Sequence, residues 1–439
     1  MSYTDTETTH TGGPVLDRLT AREILDSRGV PTVEVTIACG RHSATASVPS
    51  GKSTGRFEAL ERRDRDNHRY GGNGVLGAVA AVNTEIAAAL LGHPLPDRET
   101  LDRHLCTLDG TANKSRLGAN ALLGVSLASA RLRSVVENRP LYESLGGTRA
   151  TLLPVPCLNV INGGAHAPNA LDFQEFMLVP AGFATYSDAL RAGAETYHAL
   201  ATLLEEAGLS TAVGDEGGFA PAVKHPVEAL DWIMRAIEAA HYRPGEEIFI
   251  ALDPAASAFF SDDRYRFAGG AHSAAEMRDF YDEWLRHYPI ISIEDGLAEQ
   301  DVDGWKLLTK FLGTRVQLVG DDIFVSDPER IRWAIKEKVA NAVLLKPNQI
   351  GTVSEIFDTN RIATESGYRL MMSHRSGETD DSFIADLAVA LGTGQIKAGA
   401  PARGERLAKY NQLLRIEEML GARADFAGLR AFAHSKAVG

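Results

Sequence analysis

Six short apolar runs in the second half of the chain constrain its fold most, because each of them ends in a polar residue. These terminal residues are Asp253, Glu294, Asp321, Lys346, His374 and Lys397, at successive spacings of 41, 27, 25, 28 and 23 residues. A strand, a helix and two loops take about that many residues, and strands of buried parallel sheets are typically apolar throughout. A single strand-end charge could simply mark the return of the chain to solvent. Six strand-end residues that are all Asp, Glu, Lys or His predict a closed (β/α) barrel with one functional mouth at the strand ends.

The first third of the chain has a different pattern, which predicts a smaller α+β domain. The pattern predicts strands at 32–40 and 43–49, helices at 77–92 and 119–137, and a Gly- and Pro-containing linker at 145–156. We therefore expect a disordered leader over 1–14, an N-terminal α+β domain over 15–145 and a barrel domain over 150–439.

Composition limits the class of protein. The 439 residues are 44% apolar and 23% charged, as in ordinary globular proteins. The net charge of −13 argues against a nucleic-acid partner, and it means that an anionic substrate must be attracted by local cations or metal. The three cysteines have no metal-binding spacing, and no apolar segment reaches the length of a signal peptide or membrane span. We expect a cytoplasmic protein without a membrane partner.

The stretch VPSGKSTGRF, residues 48–57, raises the question of a nucleotide-binding P-loop. The full signature has a further glycine five residues before Gly51, but Ala46 occupies that position. Pro49 also lacks the backbone N–H with which such loops bind phosphate. A P-loop is therefore rejected, and Lys52 requires another explanation.

Three of the strand-end residues are carboxylates, which suggests a metal site. Asp253, Glu294 and Asp321 would repel one another in a shared mouth and raise one another's pKa. A hard divalent cation removes this repulsion, and ligands made only of oxygen fit Mg²⁺ or Mn²⁺. The alternative is that each carboxylate pairs with a lysine or arginine.

The two strand-end lysines suggest a base. A lysine beside a divalent cation is shifted towards its neutral form, and a neutral amine can remove a proton from the carbon next to a carboxylate. Lys346 and Lys397 are both candidates, and a Schiff-base role for either is the alternative.

Other segments offer anion-binding and titratable groups. Arg375 and Ser376 form a pair suited to phosphate. Two Gly-rich loops, NGGAHAPN and VGDEGGF, carry His166, Asp215 and Glu216, and each could be a mobile catalytic loop or an ordinary turn.

Ten motifs make the chain resemble the enolase family from about residue 20 to the C-terminus. They are AREILDSRG, INGGAHAPN, QEFM, GDEGGFAP, SIEDGL, GDDIFV, LLKPNQIGT, SHRSGET, GQIKAGAPAR and KYNQLLRIEE, in family order. The resemblance implies a small α+β domain before a modified (β/α)₈ barrel, TIM-like in form. It implies a hydro-lyase that dehydrates 2-phosphoglycerate to phosphoenolpyruvate through an enediolate, with two Mg²⁺ ions, and a homodimer or a larger homo-oligomer.

The resemblance also implies roles for individual residues. Asp253, Glu294 and Asp321 would hold the first Mg²⁺, and Ser53 would help to hold the second. Lys346 would remove the C2 proton, and Glu216, with Glu175 beside it, would act as general acid on the 3-hydroxyl. The further expected site residues are Lys397 at the substrate carboxylate, Arg375 and Ser376 at the phosphate, His166 on a closing loop, and His374 and Gln174.

The chain departs from the family pattern around the expected site. Lys52 stands where the family usually has Ala, and the other departures are Val30, Arg56, Ala258, Ala398 and Gly404. Because a buried, unpaired lysine is costly, Lys52 is expected either to contact the substrate or to face solvent. An alternative activity follows from the first case: formation of carboxyphosphonoenolpyruvate, or a related enolpyruvyl product, from a substrate with an extra negative charge. A non-catalytic binding protein is a lesser alternative.

Overall fold

The computed structural model describes residues 13–52, 54–267 and 269–432. Most of the predicted leader, residues 1–12, and the candidate ligand Ser53 therefore lie outside the described residues. Within the described ranges, no helix combines the length and the apolar character that crossing a membrane requires.

The N-terminal part is built on a three-stranded antiparallel sheet. Its strands are β1 (Arg18–Leu25), β2 (Pro31–Cys39) and β3 (His42–Ser47), with β2 in the centre. Alternate side chains of β2, Val33, Val35 and Ile37, are fully buried, as expected when one face of a sheet covers a core. Both predicted strands are confirmed.

Five helices complete this part of the molecule. They are α1 (Leu76–Ala81), α2 (Ala87–Leu90), α3 (Arg98–Asp109), α4 (Ala119–Glu137) and α5 (Leu141–Gly146). A π-helical turn at Val82–Ile86 joins α1 to α2, so the helix predicted at 77–92 is continuous but irregular. The prediction at 119–137 is confirmed by α4, which packs on the sheet against β2 and β3.

Eight strands close into a barrel. They are β5 (Val155–Asn162), β6 (Glu175–Val179), β7 (Phe249–Asp253), β11 (Ile290–Glu294), β12 (Gln317–Gly320), β13 (Ala342–Leu345), β14 (Arg369–Ser373) and β15 (Gln395–Lys397). The closed order is β11-β12-β13-β14-β15-β5-β6-β7. The closed barrel is confirmed, and the last six strands are those that the apolar runs predict.

One barrel strand, outside the six that the apolar runs predict, is reversed. β6 runs antiparallel to both of its neighbours, with Glu175 opposite Asn162 of β5 and Asp253 of β7. The reversal brings the first residue of β6 to the edge where the other strands end. The predicted linker at 145–156 is also too long, because β5 already begins at Val155.

Helices surround the barrel, and short strands lie outside it. The helices are α6 (Tyr186–Glu206), α7 (Pro226–Ala239), α8 (Ala274–His287), α9 (Val302–Leu312), α10 (Pro328–Glu337), α11 (Pro347–Ile350), α12 (Val353–Glu365), α13 (Phe383–Leu391) and α14 (Gly404–Leu420). The short strands are β4 (Leu152–Leu153), β8 (Phe260–Ser261), β9 (Arg264–Phe267), β10 (Gly270–His272) and β16 (Asp425–Phe426). One apolar cluster extends from Leu16 to Phe432 through both parts of the molecule.

The loop after β3 reaches from the N-terminal domain across the barrel mouth. Ser50 and Gly377 exchange two backbone hydrogen bonds of 2.8 and 2.9 Å. This contact places residues 50–58 beside the segment that follows β14, which carries the predicted phosphate-binding pair.

Candidate active site

A small buried cavity lies at the C-terminal ends of the barrel strands. It is lined by His166, Gln174, Glu175, Glu216, Asp253, Asp321, Lys346, Ser373, His374, Arg375, Ser376 and Lys397. Each of these except Ser373 is a residue that the sequence predicts for the site. Topology explains most of this convergence, because Asp253 and Lys397 end strands and Asp321, Lys346 and His374 follow strands directly. Gln174 and Glu175 stand at the start of the reversed strand, and His166 and Glu216 reach the cavity from loops.

Lys397 is surrounded by three carboxylates. Its Nζ lies 2.8 Å from Glu294 Oε1, 3.0 Å from Asp253 Oδ2 and 3.4 Å from Glu175 Oε1. Burial lowers the pKa of Lys397, but these charges outweigh it and raise that pKa well above its usual value. Lys397 is therefore an ammonium ion and unsuited to act as a base, which agrees with its expected role in binding an anion.

Lys346 pairs with the remaining carboxylate of the predicted metal triad. Its Nζ lies 2.5 Å from Asp321 Oδ2, and Gln349 Nε2 donates to Asp321 Oδ1 at 2.8 Å. Burial lowers the pKa of Lys346, yet the charge of Asp321 raises it above the usual value, while Arg375 and Lys397 oppose that rise. The neutral lysine expected for a base therefore requires more positive charge than the protein's own side chains supply.

The pKa values of the Glu175 and Glu216 carboxyl groups are shifted in opposite directions. Burial and the nearby Glu216 raise the pKa of Glu175 well above its usual value. For Glu216, burial acts in the same direction, but His374 and His166 outweigh it and hold the pKa well below its usual value. The pKa shifts of the two carboxyl groups therefore have opposite signs, and His166 Nδ1 lies near both, 3.6 Å from Glu175 Oε1 and 3.7 Å from Glu216 Oε1.

A fixed histidine supports Glu216. His374 Nε2 lies 3.2 Å from Glu216 Oε2, and Asn159 Nδ2 donates to the same oxygen at 3.0 Å. Burial lowers the pKa of His374 to about 4, so its ring is neutral. Arg406 Nη1 lies 2.6 Å from Nδ1, and because a guanidinium only donates, the ring proton is assigned to Nε2, facing Glu216.

The loop that carries Glu216 depends on a glycine. Gly217 has φ +88°, and a Cβ there would lie 3.0 Å from the Cβ of Ala400. Only glycine adopts this conformation without strain, which explains the glycine directly after Glu216 in VGDEGGF.

The predicted phosphate-binding pair is held by the loop after β3. Arg375 is bound by both carboxylate oxygens of Glu58 and donates to Asn348 Oδ1 at 3.1 Å. Ser376 Oγ accepts from the backbone N–H of Lys52 at 2.9 Å and from Arg28 Nη1 at 3.3 Å.

The Lys52 side chain does not line the cavity. Its Nζ donates to Ala165 O at 2.8 Å and to Asp215 Oδ2 at 3.2 Å, and about half of the side chain is exposed. It is therefore neither buried without a partner nor directed freely into solvent.

The cavity residues fit a hard cation. Asp253 and Asp321 line the cavity, and Glu294 lies behind them against Lys397, a lining residue. Glu294 Oε2 is buried without a hydrogen-bond partner among the described residues. Burial and Asp253 raise the pKa of Glu294 well above its usual value, and a nearby cation would reverse that rise. In the described structure Lys346 and Lys397 pair with these carboxylates. That the three carboxylates bind a metal ion therefore stays a prediction.

Two other sets of potential metal ligands lie close together. Ligand atoms of Asp295, Asp321 and Asp322 lie within 4.8 Å of one another, as do those of His166, Glu175 and Glu216. The backbone N–H groups of Asp321 and Asp322 both donate to Asp295, so Asp295 fixes the start of this loop.

Sequence reasoning missed several residues that organise the site. Glu58, Asn159, Gln349 and Arg406 each contact a predicted site residue. Arg406 follows the motif GQIKAGAPAR by three residues, and a cation so close to that motif was a usable signal of a site residue. Gln349 lies in the motif LLKPNQIGT, close after Lys346, which was also a usable signal. Glu58 and Asn159 had none, because their partners come from distant parts of the chain.

Comparison with known proteins gives the same assignment. A family model for the enolase N-terminal domain matches residues 16–145, and one for the enolase C-terminal TIM barrel domain matches residues 150–435. The chain belongs to the enolase family. An enolase of Acidothermus cellulolyticus is 56% identical over 419 residues, covering 95% of this chain and 97% of that protein. An enolase of Rubrobacter xylanophilus is 56% identical over 414 residues, covering 94% and 96%.

Membership confirms the expected fold and the class of reaction. Enolases are hydro-lyases of the glycolytic pathway that depend on Mg²⁺, and the resemblance seen in the motifs extends over nearly the whole chain. The comparisons support 2-phosphoglycerate dehydration and give no support to the alternative substrate with an extra negative charge.

Proposed function

We propose that the cavity at the barrel mouth carries out the reversible, Mg²⁺-dependent dehydration of 2-phosphoglycerate to phosphoenolpyruvate. The observation that carries the proposal is the meeting of Lys346, Arg375 and the Glu175–Glu216 pair in one buried cavity. Together they offer a base, an anion-binding group and an acid, which this reaction requires.

Substrate binding is assigned to the cationic side of the cavity. Arg375 and Ser376 would bind the phosphate, because a guanidinium held rigidly by Glu58 has a fixed orientation. Lys397 would bind the substrate carboxylate, and Gln174, which is buried in the same wall, would add a polar contact.

The metal would be held by Asp253, Glu294 and Asp321, and a second ion by Ser53 and the substrate. When bound, Mg²⁺ would neutralise charge on the substrate carboxylate and favour loss of the neighbouring proton. Lys346, beside Asp321, would then face more positive charge than its own side-chain neighbours supply, which favours its neutral form.

Proton removal and proton delivery are assigned to different groups. Lys346 takes the C2 proton. The proton that leaves with the 3-hydroxyl comes from the Glu175–Glu216 pair. Glu216 is the proposed acid and Glu175 its neighbour, and His166 Nδ1 lies within 3.7 Å of both carboxyl groups.

The direct test is an absorbance assay for the enol product with purified protein, Mg²⁺ and 2-phosphoglycerate. Turnover that disappears with a chelator and returns with Mg²⁺ supports the proposal. Lack of turnover at any Mg²⁺ concentration refutes it. A titration of bound Mg²⁺ by calorimetry, with and without substrate, tests whether the site takes one ion or two.

The assembly and location are proposed from the family resemblance alone. We infer a homodimer or larger homo-oligomer acting in the cytoplasm on a small phosphorylated acid. Sedimentation velocity tests the assembly, and a single species at the monomer mass of 47.3 kDa would contradict it.

A further inference from the structure

The Lys52 side chain joins three loops at the barrel mouth. It belongs to the loop after β3, and its Nζ contacts Ala165 O at 2.8 Å and Asp215 Oδ2 at 3.2 Å, on two other loops. Ala165 precedes His166, and Asp215 precedes Glu216. Each contact is therefore one residue away from a group assigned to the chemistry.

Both ends of this connection are fixed to the barrel. The backbone N–H of Lys52 donates to Ser376 Oγ at 2.9 Å. The backbone of Asp215 donates to His166 O at 3.2 Å and accepts from Arg406 Nη2 at 3.1 Å. Lys52 therefore links two segments that are each held in place. Its contacts restrain the loops that carry Ala165 and Asp215.

The described cavity is too small for the proposed substrate. It encloses about 20 Å³, close to the volume that one water molecule occupies. A three-carbon acid with a phosphate group can enter only if loops at the mouth move apart. Separation of the three loops that meet at Lys52 would break its contacts.

We propose that Lys52 is a positioning residue that ties these three loops together over the mouth of the ligand-free protein. Its contacts hold the backbone beside His166 and Glu216, and it does not touch the reacting atoms. We call this connection the Lys52 strap. Only the ligand-binding test of this inference rests on the proposed function.

The first test measures hydrogen exchange of the ligand-free protein over residues 162–169 and 213–219. Lys52→Met keeps most of the side-chain volume and removes the charge, and about two- to fivefold faster exchange is expected, the range for a part-exposed ion pair. Lys52→Arg is expected to restore slow exchange. In the wild type, 1 M KCl is expected to speed exchange in the same segments, because it screens the pair.

The matched control is Lys306→Met. Lys306 pairs with Glu337 at 2.6 Å on the outer helices, with exposure similar to that of the Lys52–Asp215 pair. This variant is expected to leave both segments unchanged. Equal exchange in the wild type and Lys52→Met, or equal acceleration by both variants, overturns the strap.

The second test measures binding of phosphoenolpyruvate with Mg²⁺ by stopped-flow fluorescence. The strap favours the closed mouth both with and without ligand, so Lys52→Met is expected to raise the association and dissociation rates together and leave Kd unchanged. A higher Kd at an unchanged association rate would make Lys52 a substrate contact and refute the strap. If the wild type does not bind phosphoenolpyruvate, the proposed function fails, and the exchange comparison alone decides the strap.

Discussion

The guanidinium of Arg375 is held by both carboxylate oxygens of Glu58, with Nη1 3.1 Å from Oε2 and Nη2 3.2 Å from Oε1. The pair joins the loop after β3 to the barrel segment after β14, and both side chains are almost fully buried. The charge of Glu58 raises the pKa of Arg375 even though burial lowers it, so the guanidinium remains ionised beside the cavity. Glu58 therefore fixes the orientation of the proposed phosphate-binding group.

Removing this counter-charge should destabilise the ligand-free protein more than the liganded one. Glu58→Gln leaves a buried arginine without its carboxylate, and such losses cost about 3 kcal/mol of the free energy of unfolding. Phosphoenolpyruvate with Mg²⁺ should recover more stability in the variant than in the wild type, because its phosphate replaces the missing charge. Denaturant unfolding with and without ligand measures both effects.

The control for Glu58→Gln is Glu337→Gln, which removes the partner of Lys306 in an exposed pair. Its cost should stay below about 1 kcal/mol and should not depend on ligand. Equal costs in the two variants would show that Glu58 has no special role at Arg375.

Different mutations should abolish removal of the C2 proton and departure of the 3-hydroxyl. Lys346→Ala should abolish exchange of the C2 proton of 2-phosphoglycerate with solvent deuterium, whereas Glu216→Gln should retain exchange and lose dehydration by about 10²- to 10⁴-fold. Glu175→Gln should resemble Glu216→Gln, because both carboxyl groups line the cavity where the 3-hydroxyl would leave. Proton NMR in deuterated buffer follows exchange, and absorbance follows dehydration. Exchange by Lys346→Ala would show that another group is the base.

The sequence predicts most of the barrel because buried parallel strands leave a strong apolar signal, and the residues that end them can be read directly. The six apolar runs do not include β5 or β6, and composition does not show that β6 is reversed, because a reversed strand has the same composition as its neighbours. The motif QEFM identifies Glu175 through the family resemblance, but only the reversal explains how the first residue of a strand reaches the mouth.

The direction of Lys52 also lies beyond sequence reasoning. A lysine at the rim could face the substrate or solvent, and the chain itself gives no sign that Ala165 and Asp215 lie within its reach. The same holds for Glu58, whose partner is 317 residues away in sequence. Contacts between loops depend on the packing of both domains, which local patterns do not encode.

A methyl group at Gly51 should disturb phosphate binding. A Cβ at this position would lie 1.9 Å from Arg375 Nη2, and Arg375 cannot move away freely because Glu58 and Asn348 hold it. Gly51→Ala should therefore raise KM for 2-phosphoglycerate about tenfold or more and lower kcat less. Gly404→Ala, where a Cβ meets nothing within 4 Å, is the matched control and should leave KM unchanged. An unchanged KM in Gly51→Ala would show that the loop after β3 is not seated on Arg375 during binding.

Asp386 should make stability depend on pH at a place remote from the reaction. Burial in α13 raises the pKa of its carboxyl from 3.8 to about 6, and the hydrogen bond from Gln412 and the charge of Arg131 oppose that rise. Because the folded pKa is above the unfolded one, its contribution to stability is complete below pH 3.8 and is lost as pH rises through 6. The whole loss is about 3 kcal/mol, and nearly half of it falls between pH 5 and 8. Asp386→Asn keeps an acceptor for the Tyr142 N–H and has no charge to bury, so its stability relative to the wild type should increase over that range. Denaturant unfolding of both proteins at several pH values measures the difference, and a difference that stays constant from pH 5 to 8 would mean that Asp386 titrates with an ordinary pKa.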